Sequence, residues 1–517
     1  MQTQKSRTKA AVINSLSATI FQVLGMIMSF VVRSMFIKIL GAQYLGLNGL
    51  FLNILSILSF SELGIGFAIT YSLYRPVAEQ DQGQVSALIH LYGKIYKIIA
   101  LIILGGGLSV LPFLRLLIHG NINSLGNIYI AFALFLLNSV VSYLWSYKRS
   151  IFIADQANYV NTINTFIFQF VAQVIQIIFL ILHPSYYIYL IIQICLTLSS
   201  NVAISRLADK RYPYLKEKNA TKVFPETIAY LKKNVIGMMS GKLGGVVVTG
   251  TDNILLSMFV GLSAVGGYSN YTLIITGLTT ILNQAISAVT ASIGNLNVTA
   301  TKEKQTTIFY KYSYISSVIG FAVSVGLVAF FQPFIGIWVG TRYVLSPMIT
   351  WLIVVVFFVT QLRQATINFT NAYGLYWEQR YKPIFEAGLN LAVSLILIRY
   401  THLGIASVLI GTLLSNLLVN SWWEPWIVMR YGLKSNLKDY FKFYFIQLIF
   451  GLILITISQV VSYNAFILNS NFFVSIVVTA IIVVIVSTLF AIIVGCFGMP
   501  RSEKKINILD TMKMMRR

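Results

Sequence analysis

The sequence predicts an all-α polytopic membrane protein, and three observations carry that expectation. Of the 517 residues, 57% are hydrophobic and only 10% charged, with a mean hydropathy of +0.78. A soluble domain needs roughly 25% charged residues to face water. Apolar stretches long enough to cross a bilayer recur along the whole chain. Basic residues outnumber acidic ones 38 to 15 and gather between those stretches. Together these exclude a soluble multidomain enzyme, a disordered chain and a nucleic-acid binder built on basic patches.

Windows of about 20 residues give about fourteen spans. They lie at 11–36, 45–72, 89–113, 126–147, 159–182, 186–205, 234–260, 266–294, 308–333, 345–371, 383–400, 403–428, 441–462 and 472–496. The connections are short, so no extramembrane domain is expected. An even count puts both termini on one side. Lys5, Arg7 and Lys9 precede an apolar run too long for a signal sequence, which reads as an uncleaved first span with the N-terminus inside. Of the 38 Lys and Arg residues, 31 then fall inside. Lys38, Arg115, Arg342 and Arg399 fall outside, and Arg33, Lys242 and Arg363 lie within spans. This positive-inside pattern places both termini in the cytoplasm of a cell-membrane protein, its basic loops against anionic lipids. The net charge of +23 mainly orients the helices. The densest basic stretch, Arg206 to Lys233, is expected to lie on the headgroups. Trp338, Trp377, Trp422, Trp423 and Trp426 stand at span ends as interface anchors. Cys195, Cys496 and the scattered His90, His119, His183 and His402 offer neither a disulfide framework nor a metal site, and no cofactor is expected.

The chain also repeats. Leu40 to Gly46 opens the second span and Val260 to Gly266 opens the eighth, each with a Gly-x4-Gly turn, at an offset of 220 residues. Asp155-Gln156 and Glu378-Gln379 follow the fourth and tenth spans at an offset of 223. The offset equals six spans, so the two halves share one orientation and relate by an axis along the membrane normal. The expected organisation is a six-helix lobe at 1–205, a basic cytoplasmic linker at 206–233, a second six-helix lobe at 234–430, and two extra helices with a basic tail at 431–517.

The stretch from Leu40 to Tyr74 resembles the start of polysaccharide-type flippases, as does Thr251 to Leu256 leading into Val260-Gly261 and Gly266 to Ser269. These flippases belong to the multidrug/oligosaccharidyl-lipid/polysaccharide exporter superfamily, with the multidrug-and-toxin extruders and the lipid II flippase. The resemblance implies a protein that is not an enzyme. It implies flipping of an undecaprenyl-pyrophosphate-linked oligosaccharide to the outer leaflet for capsule, exopolysaccharide or O-antigen synthesis. It also implies a lipid-tail groove at the last two spans, which sequence alone marks only as lipid-facing.

A charge at bilayer depth costs about 2.5–3.5 kcal/mol on insertion scales and so faces protein or water. Lys242 and Arg363, some eight residues into their spans from the cytoplasm, are candidate contacts for a pyrophosphate or acidic sugars. Arg33 and Lys38 would contact the anion later, near the exit. The alternative is that each cation merely pairs with Glu62 or Asp252 to hold helices together. At an offset of 220, Arg33 corresponds to Asn253, which suggests an Arg33–Asp252 outer gate. Asp252 and Glu62 are also candidates for coupling to a proton or sodium ion. Polar stripes add amides at helical spacing. They comprise Gln364, Asn368 and Asn371; Gln169, Gln173 and Gln176; Gln193, Thr197 and Ser200; Asn283, Ser287 and Thr290; and Gln22, Ser29 and Arg33. A hydrated cleft or interhelical hydrogen bonds would each account for such stripes.

The competing expectations are a multidrug or cation antiporter of the same superfamily, which would favour acidic cleft residues, and a membrane polysaccharide polymerase, which would need a larger external loop. No phosphate-binding loop for ATP is present in the sequence. The expected partners are the lipid-linked glycan, anionic lipids, a coupling proton or sodium ion and the polymerase machinery, with no nucleic acid.

Overall fold

The computed structural model describes residues 4–62, 65–119, 125–216, 223–225, 228, 250–375, 377–468 and 472–500. Every regular element among them is a helix. The chain divides into two compact units, Met1–Ser269 and Asn270–Arg517.

The first unit contains α1 (Gln4–Leu40), α2 (Ala42–Leu58), α3 (Ile65–Ala78), α4 (Gln82–Val110), α5 (Ile128–Tyr143), α6 (Arg149–Ala154), α7 (Asn158–Leu182) and α8 (Tyr186–Arg211). Helical residues 250–259 and the opening of α9 (Leu262–Thr299) complete it. The second unit takes the rest of α9, then α10 (Lys302–Trp338), α11 (Pro347–Leu362), α12 (Gln364–Tyr373), α13 (Lys382–Tyr400) and α14 (Ile405–Ser415). It ends with α15 (Ser421–Ile427), α16 (Leu437–Leu468) and α17 (Phe472–Ile493).

Ten helices among the described residues are long and apolar enough to cross a bilayer, and the bent pair Ile128–Tyr143 and Ser146–Ala154 adds an eleventh. The second expected span is broken into α2 and α3 by a 3-10 turn at Ser59–Glu62. The seventh lies partly outside the described residues, and the eighth falls within α9. Exposed Leu101 and Ile102 on α4, Ile178 and Ile181 on α7, and Val484 and Ile485 on α17 present apolar surface to lipid. Helices suit that solvent because their backbone groups bond internally. Their ends are closed by side chains: Asp81 accepts from the Gln84 N–H at 3.0 Å, and Asn127 from the Tyr129 N–H at 3.0 Å.

The repeat is visible in the backbone of the first unit. Gly41 (φ 90°) and Gly261 (φ 115°) both adopt conformations that side chains disfavour. Five residues on, a Cβ at Gly46 would overlap the Leu262 carbonyl, and one at Gly266 would overlap the Ala42 carbonyl. Ala42 and Leu262 stand at the same offset of 220 as the two glycines. Each repeat thus seats its second glycine on the first helical residue of the other, as a pseudo-two-fold relation requires. This close approach draws the opening of α9 into the first unit, so the compact units part at Ser269 rather than at the basic linker.

The Asp155-Gln156 turn is also built for its place. Gln156 takes a left-handed φ of 57°. Asp155 accepts from Tyr212 Oη at 2.6 Å and Arg211 Nη2 at 3.1 Å, tying the end of α6 to the end of α8. Burial, and then the Asp155 carboxylate, hold the Tyr212 phenol well above its ordinary range, so it remains a donor.

The last two helices are not purely lipid-facing. Phe490 of α17 is fully buried and stacks on Phe321 of α10 at 3.9 Å between ring centroids. One face of the final pair therefore belongs to the core of the second unit.

Candidate functional site

Polar chemistry gathers at three places inside the membrane helices. The first lies between α7 and α8. Gln169, Gln173 and Gln176 of one predicted stripe, and Gln193, Thr197 and Ser200 of another, line a single cavity of about 320 Å³. Gln176 Nε2 donates to the Tyr189 carbonyl at 3.0 Å, and Gln173 lies 3.5 Å from Ser29 of α1. Arg149 also lines the cavity. Its Nη1 donates to Thr165 Oγ1 at 2.8 Å, and its Nη2 to Ser200 Oγ at 3.0 Å and Asn201 Oδ1 at 3.3 Å. No carboxylate pairs with Arg149 among the described residues. Local backbone explains its direction. Trp145 is left-handed, with φ 60°, and the span bends by 40° there. Lys148 pairs with Asp209 at 2.6 Å, while its neighbour Arg149 enters the bundle. Sequence reasoning counted both as loop cations because nothing in the Lys148-Arg149 dipeptide signals the bend.

The second place is a buried charge cluster in the second unit. Arg363 sits at the break between α11 and α12. It donates through Nε to Glu424 Oε2 at 3.0 Å, through Nη2 to Glu424 Oε1 at 2.6 Å, and through Nη1 to Asn416. Lys382 donates to the same Glu424 Oε1 at 2.6 Å and lies 3.4 Å from Glu386. Asn420 links Glu386, at 2.6 Å, to Asn416, at 3.0 Å. The π-helical turn Asn416–Asn420 widens the backbone where these asparagines face the cluster. Two cations and two carboxylates balance. The carboxylate that Arg363 finds is thus Glu424, neither Glu62 nor Asp252. Sequence reasoning passed over Glu424 among the interface tryptophans. Beside the cluster, Gln364 Nε2 donates to Asn283 Oδ1 at 3.1 Å, and Asn368 Nδ2 to Tyr312 Oη at 2.6 Å.

The third place is Glu62, at the α2–α3 break. Tyr96 donates to one carboxylate oxygen at 2.9 Å and Tyr143 to the other at 2.7 Å, while Tyr92 donates to Tyr96 at 2.5 Å. No cationic side chain pairs with Glu62 among the described residues. Among the described residues this carboxylate is held by tyrosine hydroxyls, unlike the salt-bridged pair that one expectation foresaw.

The remaining candidates are dispersed. Arg33 donates to Ser269 Oγ, while Asp252 lies close to Tyr268. Lys38 is exposed, and Lys242 lies outside the described residues.

Long apolar helices with polar clusters enclosed among them define a multi-pass membrane protein. The chain belongs to the polysaccharide biosynthesis protein family, which it matches over residues 11–291. No curated protein sequence matches it. Among solved structures, the lipid II flippase MurJ in an inward closed conformation is similar at a TM-score of 0.60 and 14% identity, covering 93% of this chain and 98% of that one. A Vibrio cholerae MATE transporter, VcmN, gives 0.57 at 16% identity, covering 84% and 99%. An inward-facing multidrug resistance MATE transporter of the MOP superfamily gives 0.56 at 14%, covering 81% and 99%. At these identities the likeness establishes the fold.

Proposed function

We propose that this protein is a flippase carrying an undecaprenyl-pyrophosphate-linked oligosaccharide from the inner to the outer leaflet of the cell membrane. The product would feed capsule, exopolysaccharide or O-antigen assembly, with polymerase machinery downstream and both termini in the cytoplasm. The observation that carries this reading is a glutamine-lined cavity within the membrane helices of a polysaccharide biosynthesis protein. Primary amides donate and accept at once, as sugar hydroxyls require. A cation antiporter would need acidic groups in that cavity, and its lining side chains carry one guanidinium and no carboxylate.

The two repeats would rock about a shared axis, with no covalent chemistry. Arg33, which donates to Ser269, and Asp252, close to Tyr268, support an outer gate. Glu62 in its tyrosine cage supports a site for a coupling proton or sodium ion. Lys242 and Lys38 would guide the anion at entry and exit. Gln364 and Asn368 would contribute amides in the second unit. Arg363, engaged by Glu424, fits a frame role better than direct contact with substrate. A mostly apolar cavity of about 400 Å³ between α10 and α16, lined by Val328, Pro333, Ile337, Val344 and Tyr463, supports a groove for the lipid tail.

The test is a leaflet-accessibility assay of lipid-linked oligosaccharide in cells lacking the protein. Wild type is expected to restore outer-leaflet exposure. Arg33→Ala is expected to reduce it, and Glu62→Gln to abolish its dependence on the ion gradient. Normal exposure in cells lacking the protein would overturn the proposal.

A further inference from the structure

We infer that Arg149 and the cavity it lines form an oxyanion-binding subsite within the first unit. Two features distinguish this guanidinium from that of Arg363. Its three hydrogen bonds all go to uncharged groups, Thr165, Ser200 and Asn201. Its Nε–H and one Nη1–H have no protein partner among the described residues, although the side chain lines an open cavity of about 320 Å³. That volume lies within the range of small-ligand sites, about 300–1,000 Å³.

The second unit shows what a structural arginine looks like in this protein. Glu424 stands 223 residues beyond Asn201, the offset already seen between the Asp155 and Glu378 turns. In the second unit that position supplies a carboxylate that consumes Arg363. In the first unit it supplies an asparagine, which orients the guanidinium without neutralising it. The same Asn201 is fixed by its own donations to the Val141 and Ser142 carbonyls at 3.2 and 3.1 Å. The guanidinium is thus held in place with charge and donors to spare. A planar donor fork recognises a phosphate or carboxylate through two oxygens. Gln169, Gln173 and Gln193 surround it with amides suited to neighbouring hydroxyls.

The ligand chemistry is therefore an oxyanion flanked by hydroxyl groups. On the flippase reading, on which its biological source rests, this is either the pyrophosphate of the lipid carrier or the carboxylate of an acidic sugar. Titration calorimetry on the full chain in nanodiscs separates the two sources. One arm uses farnesyl pyrophosphate with farnesol as control. The other uses a uronic-acid disaccharide with its neutral counterpart.

Wild type is expected to bind one anionic probe and neither control. Arg149→Gln is expected to weaken that binding about tenfold or more, the scale of one charged hydrogen bond, and Arg149→Lys to retain part of it. Gln173→Glu, which places a carboxylate in the cavity and leaves Arg149 intact, is expected to abolish it. Should Arg149→Gln fail to elute as folded protein, Gln173→Glu carries the test. The inference falls if wild type binds neither anionic probe, or if the folded variants bind as wild type does. In either case, intact wild-type activity in the leaflet assay would leave the flippase reading standing. Arg149-dependent anion binding by a protein inactive in that assay would support the subsite and overturn the flippase reading.

Discussion

Glu424→Gln is expected to cost this protein a large share of its stability. Glu424 is 1% exposed and receives the donors of both Arg363 and Lys382. Glutamine preserves the shape and removes the charge, leaving two buried cations facing Glu386 alone. Breaking a buried pair on one side costs about 3–5 kcal/mol, against a total of about 5–15 kcal/mol for a typical protein. The measurement is thermal stability by fluorescence-detected size exclusion. A large drop in the recovered monodisperse peak is expected. The double variant Glu424→Gln/Arg363→Met should recover part of the loss, because it removes one orphaned charge together with its partner. If Glu424→Gln melts as wild type does, the cluster is not what holds α11, α13 and α15 together.

Gly46→Ala is expected to fail for a different reason. Its Cβ would meet the O, C and Cα atoms of Leu262, all of them backbone. No side chain can rotate away, so α2 and the opening of α9 must separate. Overpacking costs about 1–3 kcal/mol where side chains can yield, and here the obstruction is main chain. Gly266→Ala should behave alike, since its Cβ would meet the Ala42 carbonyl. Because both substitutions act on one contact, their effects should not add. Gly105 in α4 provides the control. Nothing lies within 4 Å of its added Cβ, so Gly105→Ala should gain up to about 1 kcal/mol from helix propensity. Thermal melting and the leaflet assay together check this. Wild-type values for Gly46→Ala would mean that the pseudo-two-fold contact carries no load.

Particular residues show where sequence reasoning reached and where it stopped. The Gly-x4-Gly turns were legible because the same backbone requirement recurs at one offset, and Gly41 and Gly261 indeed share positive φ. The glutamine stripes were legible as helical faces, and two of them meet across one cavity. Arg149 was not, because its neighbour Lys148, in the 3-10 turn Ser146–Lys148, pairs with Asp209, and nothing in the dipeptide tells the two cations apart. Glu424 was hidden between Trp423 and Pro425, where an interface anchor reads the same as a buried counter-charge. The tyrosines around Glu62 come from α4 and α5, and no spacing along the chain announces their convergence.

The sequence by itself determined the all-helical membrane class and the paired Gly-x4-Gly turns. Transfer between water and lipid is nearly a sum over residues in a window, so local composition suffices. Tertiary structure decided which buried charges cancel and which stay available. Coulomb energy depends on distances between helices that lie far apart along the chain. Arg363 and Glu424 are 61 residues apart in sequence yet 2.6 Å apart in space. Among the described residues Arg149 hydrogen-bonds to neutral partners, a difference that no window of residues contains.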